Sequence, residues 1–226
     1  GATQRLALQQ LGTGALGALA IAAGAAVLRR RCTKGLAASN NKAIITAARR
    51  LNRASGLIAT STLLDSAIEH YRGSFHNKAM ITPVVVSAAT LAVSVHGTGD
   101  YRAGAHEVRD PVYLAAALTG LVGTGFHVYN ITKRPSGFCW QNLFYGSPLG
   151  APAAVALAGL LGYYSERLRD SGSRKARVFG FRAGRALAAL SSIGLLATAS
   201  EAGLLHLRGA YHDPFMFVPV TVPPVA

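Results

Sequence analysis

A motif that is rich in potential metal ligands occurs twice in this chain, 136 residues apart. Residues 70–84 read HYRGSFHNKAMITPV, and residues 206–220 read HLRGAYHDPFMFVPV. The two copies contain four of the seven histidines and both methionines of the sequence. This repetition predicts that the copies occupy equivalent positions in an internally duplicated fold.

Imidazole nitrogens and thioether sulfurs are ligands that haem iron and copper accept. We therefore predict that His70 and His206 are a pair of haem b ligands that face each other across a helical bundle, with His127 as a substitute. A quinone headgroup beside the same residues is the related alternative. Copper is the less favoured interpretation. Its ligands would come from His76, His212, Met80 and Met216.

A purely structural interpretation of the motif competes with the ligand interpretation. Gly73 and Gly209 are typical of helix ends where the backbone turns left-handed. Asn77 and Asp213 are typical N-caps, and Pro214 suits a first-turn position. The motif then predicts a helix–turn–helix corner at the membrane surface.

Two carboxylates, Asp65 and Glu201, occupy equivalent positions in apolar stretches upstream of the two motif copies. Ionisable groups in such stretches are costly and are usually paired or functional. Each is expected to handle protons, to accept a hydrogen bond from a ligand histidine, or to fix helix packing. Three further charged residues are assigned to the same supporting or proton-handling group: Glu69, Arg72 and Arg208. The spacing of Glu69 and Arg72 predicts an ion pair on one helix face.

The segment 131–146 concentrates large aromatic side chains. Its members are Phe138, Trp140, Phe144 and Tyr145. Tryptophan and tyrosine favour the membrane interface, so an aromatic belt is one interpretation. A docking surface for a peripheral partner is the other.

A second polar group surrounds one short connection. It comprises His96, His106, Asp100, Glu107 and Asp110. We expect these residues to form a solvated loop, and weak chelation of a metal ion is the alternative. The sequence contains no Walker loop, no Rossmann fingerprint, no HExxH and no G-x-S-x-G motif. Independent catalytic activity is therefore the less favoured expectation, and a membrane enzyme is a weaker alternative.

The composition is that of a membrane protein. Half of the 226 residues are hydrophobic, 14% are charged and the mean hydropathy is +0.30, whereas soluble domains carry about 25% charged residues. The net charge of +14 is explained by basic loops on one side of a bilayer, and we do not expect nucleic acid as a partner.

Six apolar stretches are long enough to cross a bilayer, which takes about 20 helical residues. They are 11–28, 54–71, 79–96, 111–130, 147–165 and 186–206. The sequence therefore predicts an all-α, polytopic membrane bundle of about six transmembrane helices, forming a single integral membrane domain over 1–226.

Basic residues are concentrated in alternate connections and predict the orientation. Positive-inside reasoning places 29–53, 97–110 and 166–185 in the cytoplasm. Both termini then lie on the outer, periplasmic side of the inner (cytoplasmic) membrane. The proline-rich tail 215–226 is expected to be extended.

The duplication extends beyond the motif, so that helices 1–2 resemble helices 5–6. At the same offset, Gly14, Ala18, Ala22 and Ala26 match Gly150, Ala154, Ala158 and Gly162. Small residues at every fourth position let helices approach closely. The predicted organisation is a repeat over 11–84, a middle hairpin over 85–146 and a parallel second repeat over 147–220.

These features favour an integral membrane subunit of a larger redox or respiratory-type assembly. It is expected to anchor or dock an outer-side partner and to hold haem b or a quinone near the outer face. The expected partners are the lipid bilayer and other subunits of a membrane complex. A transporter or channel of parallel repeats and a cofactor-free scaffold subunit are the alternatives.

Overall fold

The computed structural model describes residues 41–171, 177–178 and 180–225. Within these residues there are five long helices: α1 (Asn41–Arg72), α2 (Thr82–Gly99), α3 (Arg109–Thr132), α5 (Gly150–Ser171) and α6 (Ala183–Arg208). Two shorter helices are α4 (Trp140–Phe144) and α7 (Val218–Val225). The 3-10 turns Lys78–Ile81 and Pro214–Phe217 precede α2 and α7, and strands β1 (Arg177–Val178) and β2 (Phe181–Arg182) form a small antiparallel hairpin before α6.

The long helices alternate in direction, which gives the bundle two distinct ends. We call the end that carries both copies of the repeated motif, together with the start of α5, the motif end. We call the opposite end the network end. Arg49 of α1 donates a hydrogen bond to the carbonyl of Thr98 at the network end, whereas His70 contacts the carbonyl of Met80 at the motif end. Helices α1 and α2 are therefore antiparallel.

Three helical segments of the described chain are long and apolar enough to cross a membrane: Lys78–Gly99, Arg109–Thr132 and Ala183–Arg208. They coincide with three of the six predicted spans. The predicted span 54–71 lies in α1, and most of the predicted span 147–165 lies in α5; neither helix is among the candidate membrane spans of the described chain. The predicted span 11–28 lies outside the described residues.

Many large apolar side chains lie on the outside of the bundle, and several polar and charged side chains are buried within it. Large apolar side chains such as Val122, Ile193 and Val95 are 65–70% exposed, whereas Asn52 and Glu166 are fully buried. Apolar side chains directed outward are stable in lipid, and buried polar groups then hold the helices together. The chain is therefore a multi-pass membrane protein.

Helix α5 lies between α1 and α3 and contacts both at close range. A Cβ added to Gly120 of α3 would collide with the backbone of Ala156, and one added to Gly159 would collide with the backbone of Ala117. Gly162 faces the ring of Tyr113 with equally little space. Small residues thus bring these backbones together, as expected for helices that associate within a bilayer.

Hydroxyl groups line the contact between α1 and α2. Thr62 and Ser87 lie 3.2 Å apart, and the hydroxyl of Ser94 donates to that of Ser55 at 3.2 Å. All four residues are buried. Interhelical hydrogen bonds of this kind contribute about 0.6–2 kcal/mol each in a membrane.

Two boundaries differ from the sequence-based expectation. Helix α1 covers Asn41–Arg72, so residues 41–53 of the basic connection 29–53 are helical. The expectation of an extended tail is wrong, because α7 is helical and packs against α6. Pro219 lies in the first turn of α7, where a missing backbone N–H costs nothing.

Candidate functional site

The two copies of the repeated motif form the same corner at the motif end. Each copy leaves the last turn of a long helix, passes through two left-handed residues and enters a 3-10 turn. The left-handed residues are Ser74 and Phe75 in the first copy and Ala210 and Tyr211 in the second, with φ between 45° and 57°. Phe75 and Tyr211 then donate backbone hydrogen bonds to the carbonyls of His70 and His206, at 3.0 and 3.1 Å. The corner that the sequence allowed is present in both copies.

The caps of this corner are those predicted. Asn77 accepts a hydrogen bond from the N–H of Ala79, and Asp213 accepts one from the N–H of Phe215, both at 2.9 Å. Pro214 occupies the first turn after Asp213. Each cap fixes the direction in which the chain re-enters the bundle.

The prediction that Gly73 and Gly209 adopt the left-handed conformation is wrong. Gly209 has φ −84°, and neither glycine is among the residues with positive φ. Instead, a Cβ at Gly73 would lie 3.0 Å from Cε of Met80, and one at Gly209 would lie 3.4 Å from Cε of Met216. Gly73 is therefore in close contact with Met80, whereas a Cβ at Gly209 would make an ordinary van der Waals contact with Met216.

Four of the five histidines at the motif end place Nδ1 against a backbone carbonyl. The pairs are His70–Met80 (2.6 Å), His76–Gly73 (3.1 Å), His127–Pro148 (2.7 Å) and His212–Gly209 (2.9 Å). A carbonyl oxygen only accepts, so each Nδ1 must carry the proton. In the neutral imidazole this leaves the lone pair of Nε2 free. The fifth histidine, His206, has its ring 6.2 Å from that of Tyr211.

The predicted ligands lie at one end of the bundle but on different elements. His70, His127 and His206 lie near the ends of α1, α3 and α6. Met216 is buried against its corner, and Met80 is half-buried. Within residues 41–171, 177–178 and 180–225, no group of three His, Cys, Asp or Glu side chains is arranged to hold a metal ion.

Glu201 has a packing role in this structure. Its Oε1 accepts a hydrogen bond from the N–H of Gly150 at 2.8 Å. A carboxylate at this position satisfies a free N–H of α5 and complements the positive end of its dipole. Asp65, the equivalent residue on α1, is half-buried and has no hydrogen-bond partner in the described part of the chain.

The charged residues at the helix ends have distinct partners. Glu69 and Arg72 form the predicted ion pair, with Nη1 and Oε1 2.7 Å apart. The guanidinium of Arg208 lies 5.3 Å and 5.6 Å from the ring centroids of Phe144 and Tyr145. Arg208 therefore attaches the aromatic segment to the end of α6 through cation–π contacts.

The aromatic segment is folded and leaves most of its rings exposed. Phe138, Trp140 and Tyr145 are 63%, 66% and 59% exposed, and Phe144 is half-buried beneath them. Asn142 stabilises the loop by donating to the carbonyls of Pro135 and Gly137. The aromatic surface formed by residues 138–145 thus has a defined shape.

The network end contains a cluster of buried charges. Nε and Nη2 of Arg109 lie 2.9 and 3.1 Å from the two carboxylate oxygens of Glu166, and Nη1 lies 2.8 Å from Oδ2 of Asp100. Arg109 and Glu166 are essentially inaccessible to solvent, and the side chain of Asp100 is 7% exposed. This bidentate pair joins the start of α3 to α5.

Arg169 completes the cluster by closing the end of α2. Its guanidinium donates to the carbonyls of Gly97, Asp100 and Arg102 at 2.8–3.1 Å. A cation at a helix C-terminus complements the negative end of the dipole. Two arginines thus neutralise two carboxylates within the buried cluster.

The pKa of Asp100 reflects these contacts. Burial by itself raises the pKa of the Asp100 carboxyl. Hydrogen bonds donated by the Arg102 backbone and by the Arg109 and Arg102 guanidiniums outweigh burial and hold that pKa below its usual range. Asp100 is therefore ionised at neutral pH.

Neutral polar groups continue the cluster into the bundle. Oγ of Ser165 lies 2.9 Å from Oδ1 of Asn52 and 3.2 Å from Oε1 of Glu166, and the hydroxyl of Tyr113 donates to Oδ1 of Asn52 at 2.7 Å. Ser94 lies 3.1 Å from the same tyrosine hydroxyl. Nδ2 of Asn52 is buried without a partner among the described residues, and it lies where a Cβ on Gly97 would be.

Comparison with protein-family models, curated proteins and solved structures found no match.

Sequence reasoning missed the cluster at the network end. The expectation of a solvated loop is wrong for Asp100, whose carboxylate lies inside the fold, although Glu107 and His96 are exposed. Glu166 and Arg169 were counted only as part of a basic connection. One signal was available: Glu166 is three residues from Arg169, a spacing that pairs side chains on one helix face.

Proposed function

We propose that this protein is an integral membrane subunit of a larger redox or respiratory-type assembly. Its motif end would dock an outer-side partner and hold haem b or a quinone. The observation that carries the proposal is the set of imidazoles at that end whose Nδ1 donates to a carbonyl. Metal-ligating histidines typically have this second hydrogen bond, which fixes the ring and leaves Nε2 free as the ligand atom.

The donor chemistry at the motif end fits haem b. Neutral imidazole is the usual axial ligand of haem iron, and His70 already has the tautomer that ligation requires. His70 and His206 would hold the haem, with His127 as a substitute. Bound haem supplies one-electron transfer, while the two corners hold the ends of α1 and α6 in fixed positions.

The aromatic surface supports the docking part of the proposal. Exposed Phe138 and Trp140 lie at the same end as the two corners, on a loop held by Asn142 and Arg208. Aromatic residues and arginine are enriched at protein interfaces. A surface with a defined shape also loses less entropy when a partner binds.

The finer topology belongs to the same proposal. It consists of six membrane spans, a parallel duplication of helices 1–2 in helices 5–6, and an inner-membrane location with both termini on the periplasmic side. The excess of arginine at the network end supports this orientation.

An optical spectrum tests the redox part. The protein, purified in mild detergent from its native membrane, should give a b-type band in the dithionite-reduced minus air-oxidised spectrum. His70→Ala and His206→Ala should each abolish that band. His96→Ala, at the network end, is the matched control and should retain it. A spectrum without this band, from material without stoichiometric iron, would contradict the haem proposal.

Transport is a second candidate function, and the buried charges at the network end favour it. Charged side chains within membrane helices often mark substrate or ion pathways. The cluster around Arg109 and Glu166 continues through Ser165 to Asn52 in the bundle interior. Transport predicts that one class of ion raises the thermal midpoint of the purified protein and that Glu166→Gln abolishes the increase. An unchanged midpoint across all ions would count against it.

A further inference from the structure

Helix α1 has one face that stays open along its length in the described part of the chain. Another side of α1 packs against α2 and α5 and contains the fully buried Ala48, Asn52 and Ala59. The side chains of the open face lie within an arc of about 100°, since successive residues of an α-helix are rotated by about 100°. These exposed or half-buried side chains include Lys42, Arg49, Arg50, Arg53, Leu57, Leu64, Ile68 and Tyr71.

The open face of α1 changes from basic to apolar at a single level. Its basic residues end at Arg53, and the large apolar residues that follow, Leu57 and Leu64, are 48% and 54% exposed. From Arg53 to Tyr71 the helix rises about 27 Å, at about 1.5 Å per residue. This distance is close to the thickness of the hydrocarbon core of a bilayer, about 30 Å. The open face therefore has a basic part at headgroup level and an apolar part at the level of the acyl chains.

The basic part of the open face is not neutralised by the described residues. Arg49 donates a hydrogen bond to the carbonyl of Thr98 at 2.7 Å. The side chains of Lys42, Arg50 and Arg53 have no ion-pair or hydrogen-bond partner within the described part of the chain. Arg50 and Arg53 are three residues apart, so these like charges are neighbours on the helix surface and repel each other. An anion that binds between them would remove this repulsion.

We propose that the open face of α1 binds an anionic phospholipid. The headgroup phosphate lies between Arg50 and Arg53, with Lys42 beyond it, and an acyl chain lies along Leu57 and Leu64. A guanidinium binds phosphate oxygens through two parallel hydrogen bonds, and basic clusters directly beside a membrane span attract anionic lipids. The inference uses the proposed membrane crossing of α1, and it is independent of the cofactor, the transported ion and the partner subunit.

Native mass spectrometry of the full-length protein in mild detergent tests this site by counting bound lipids. Phosphatidylglycerol should bind, whereas phosphatidylcholine with the same acyl chains should not. Arg50→Gln/Arg53→Gln should weaken the binding of phosphatidylglycerol about 30-fold, because each basic side chain near an anionic headgroup contributes about 1 kcal/mol. Lys78→Gln/Lys133→Gln is the matched control. It removes the same charge from two exposed residues at the motif end and should leave the binding unchanged.

A charge-conserving variant separates loss of the site from loss of the fold. Arg50→Lys/Arg53→Lys keeps both positive charges and should retain most of the binding of phosphatidylglycerol. Raising the salt concentration should weaken binding to the wild type, because salt screens the attraction between exposed charges. The same change should have little effect on the residual binding to Arg50→Gln/Arg53→Gln.

Several results would overturn the proposal. Equal binding of the two lipids, or an equal loss in Lys78→Gln/Lys133→Gln, would mean that the attraction is not localised on α1. Displacement of phosphatidylglycerol by inorganic phosphate alone would assign the arginines to a soluble anion. A lipid-free dimer that Arg50→Gln/Arg53→Gln dissociates would assign the face to a second copy. A b-type spectrum in a protein that binds no phosphatidylglycerol would refute this inference and leave the proposed redox function intact.

Discussion

Arg109 and Glu166 form a bidentate ion pair, with Nε–Oε1 and Nη2–Oε2 distances of 2.9 and 3.1 Å, although 57 residues separate them in sequence. Neither side chain is more than 1% exposed. The pair connects the first residue of α3 to the network end of α5. Removing one partner from such a pair leaves a buried charge without compensation.

Glu166→Gln should therefore destabilise the protein strongly. The substitution leaves Arg109 and Arg169 facing a neutral amide, and the expected cost is about 3–5 kcal/mol. Glu107→Gln is the matched control, since Glu107 is exposed in the neighbouring connection. Thermal unfolding in detergent measures the difference. Equal midpoints for the two variants would show that the pair contributes no net stability.

Stability should decrease in acid because of Asp100. The folded-state pKa of this carboxyl is lower than its unfolded value, so folding favours the ionised form. The contribution is complete above the unfolded value of about 4 and is lost as the pH falls toward the folded value. Thermal midpoints measured from pH 6 downward should fall more steeply for the wild type than for Asp100→Asn. Parallel curves would contradict this assignment.

Gly120→Ala should weaken the contact between α3 and α5. The added Cβ would collide with the backbone of Ala156, which cannot move aside as a flexible side chain can. Overpacking of this kind typically costs about 1–3 kcal/mol. Gly125→Ala on the same helix meets no atom within 4 Å and should be neutral or slightly stabilising. A comparable loss of stability in both variants would mean that the close helix contact is not the cause.

The sequence predicted those features that depend on local pattern. Apolar length identified the helices around 79–96, 111–130 and 186–206. The residue types in the repeated motif identified the caps at Asn77 and Asp213. The ion pair of Glu69 and Arg72 followed from helical spacing alone. In each case the deciding interaction lies within a few residues along the chain.

Features that depend on distant partners were not predictable in the same way. Asp100 appeared to be a loop residue because Arg109 and Arg169, which enclose it, reach it only in the folded bundle. Glu201 was recognised as unusual, but its partner is the backbone of Gly150, which has no side-chain signature. Gly73 was assigned to a left-handed turn, whereas its close neighbour Met80 determines its role.

Stoichiometric purification from native membranes tests the central claim, a docking surface at the motif end, most directly. We predict that the wild-type protein co-purifies in mild detergent with a partner subunit in fixed ratio, and that Trp140→Ala reduces this ratio substantially. Phe181→Ala is the matched control, because Phe181 is 67% exposed at the network end, comparable to the 66% of Trp140, and it should leave the ratio unchanged. If no partner co-purifies in fixed ratio with the wild type, or if Trp140→Ala behaves like Phe181→Ala, the account is contradicted.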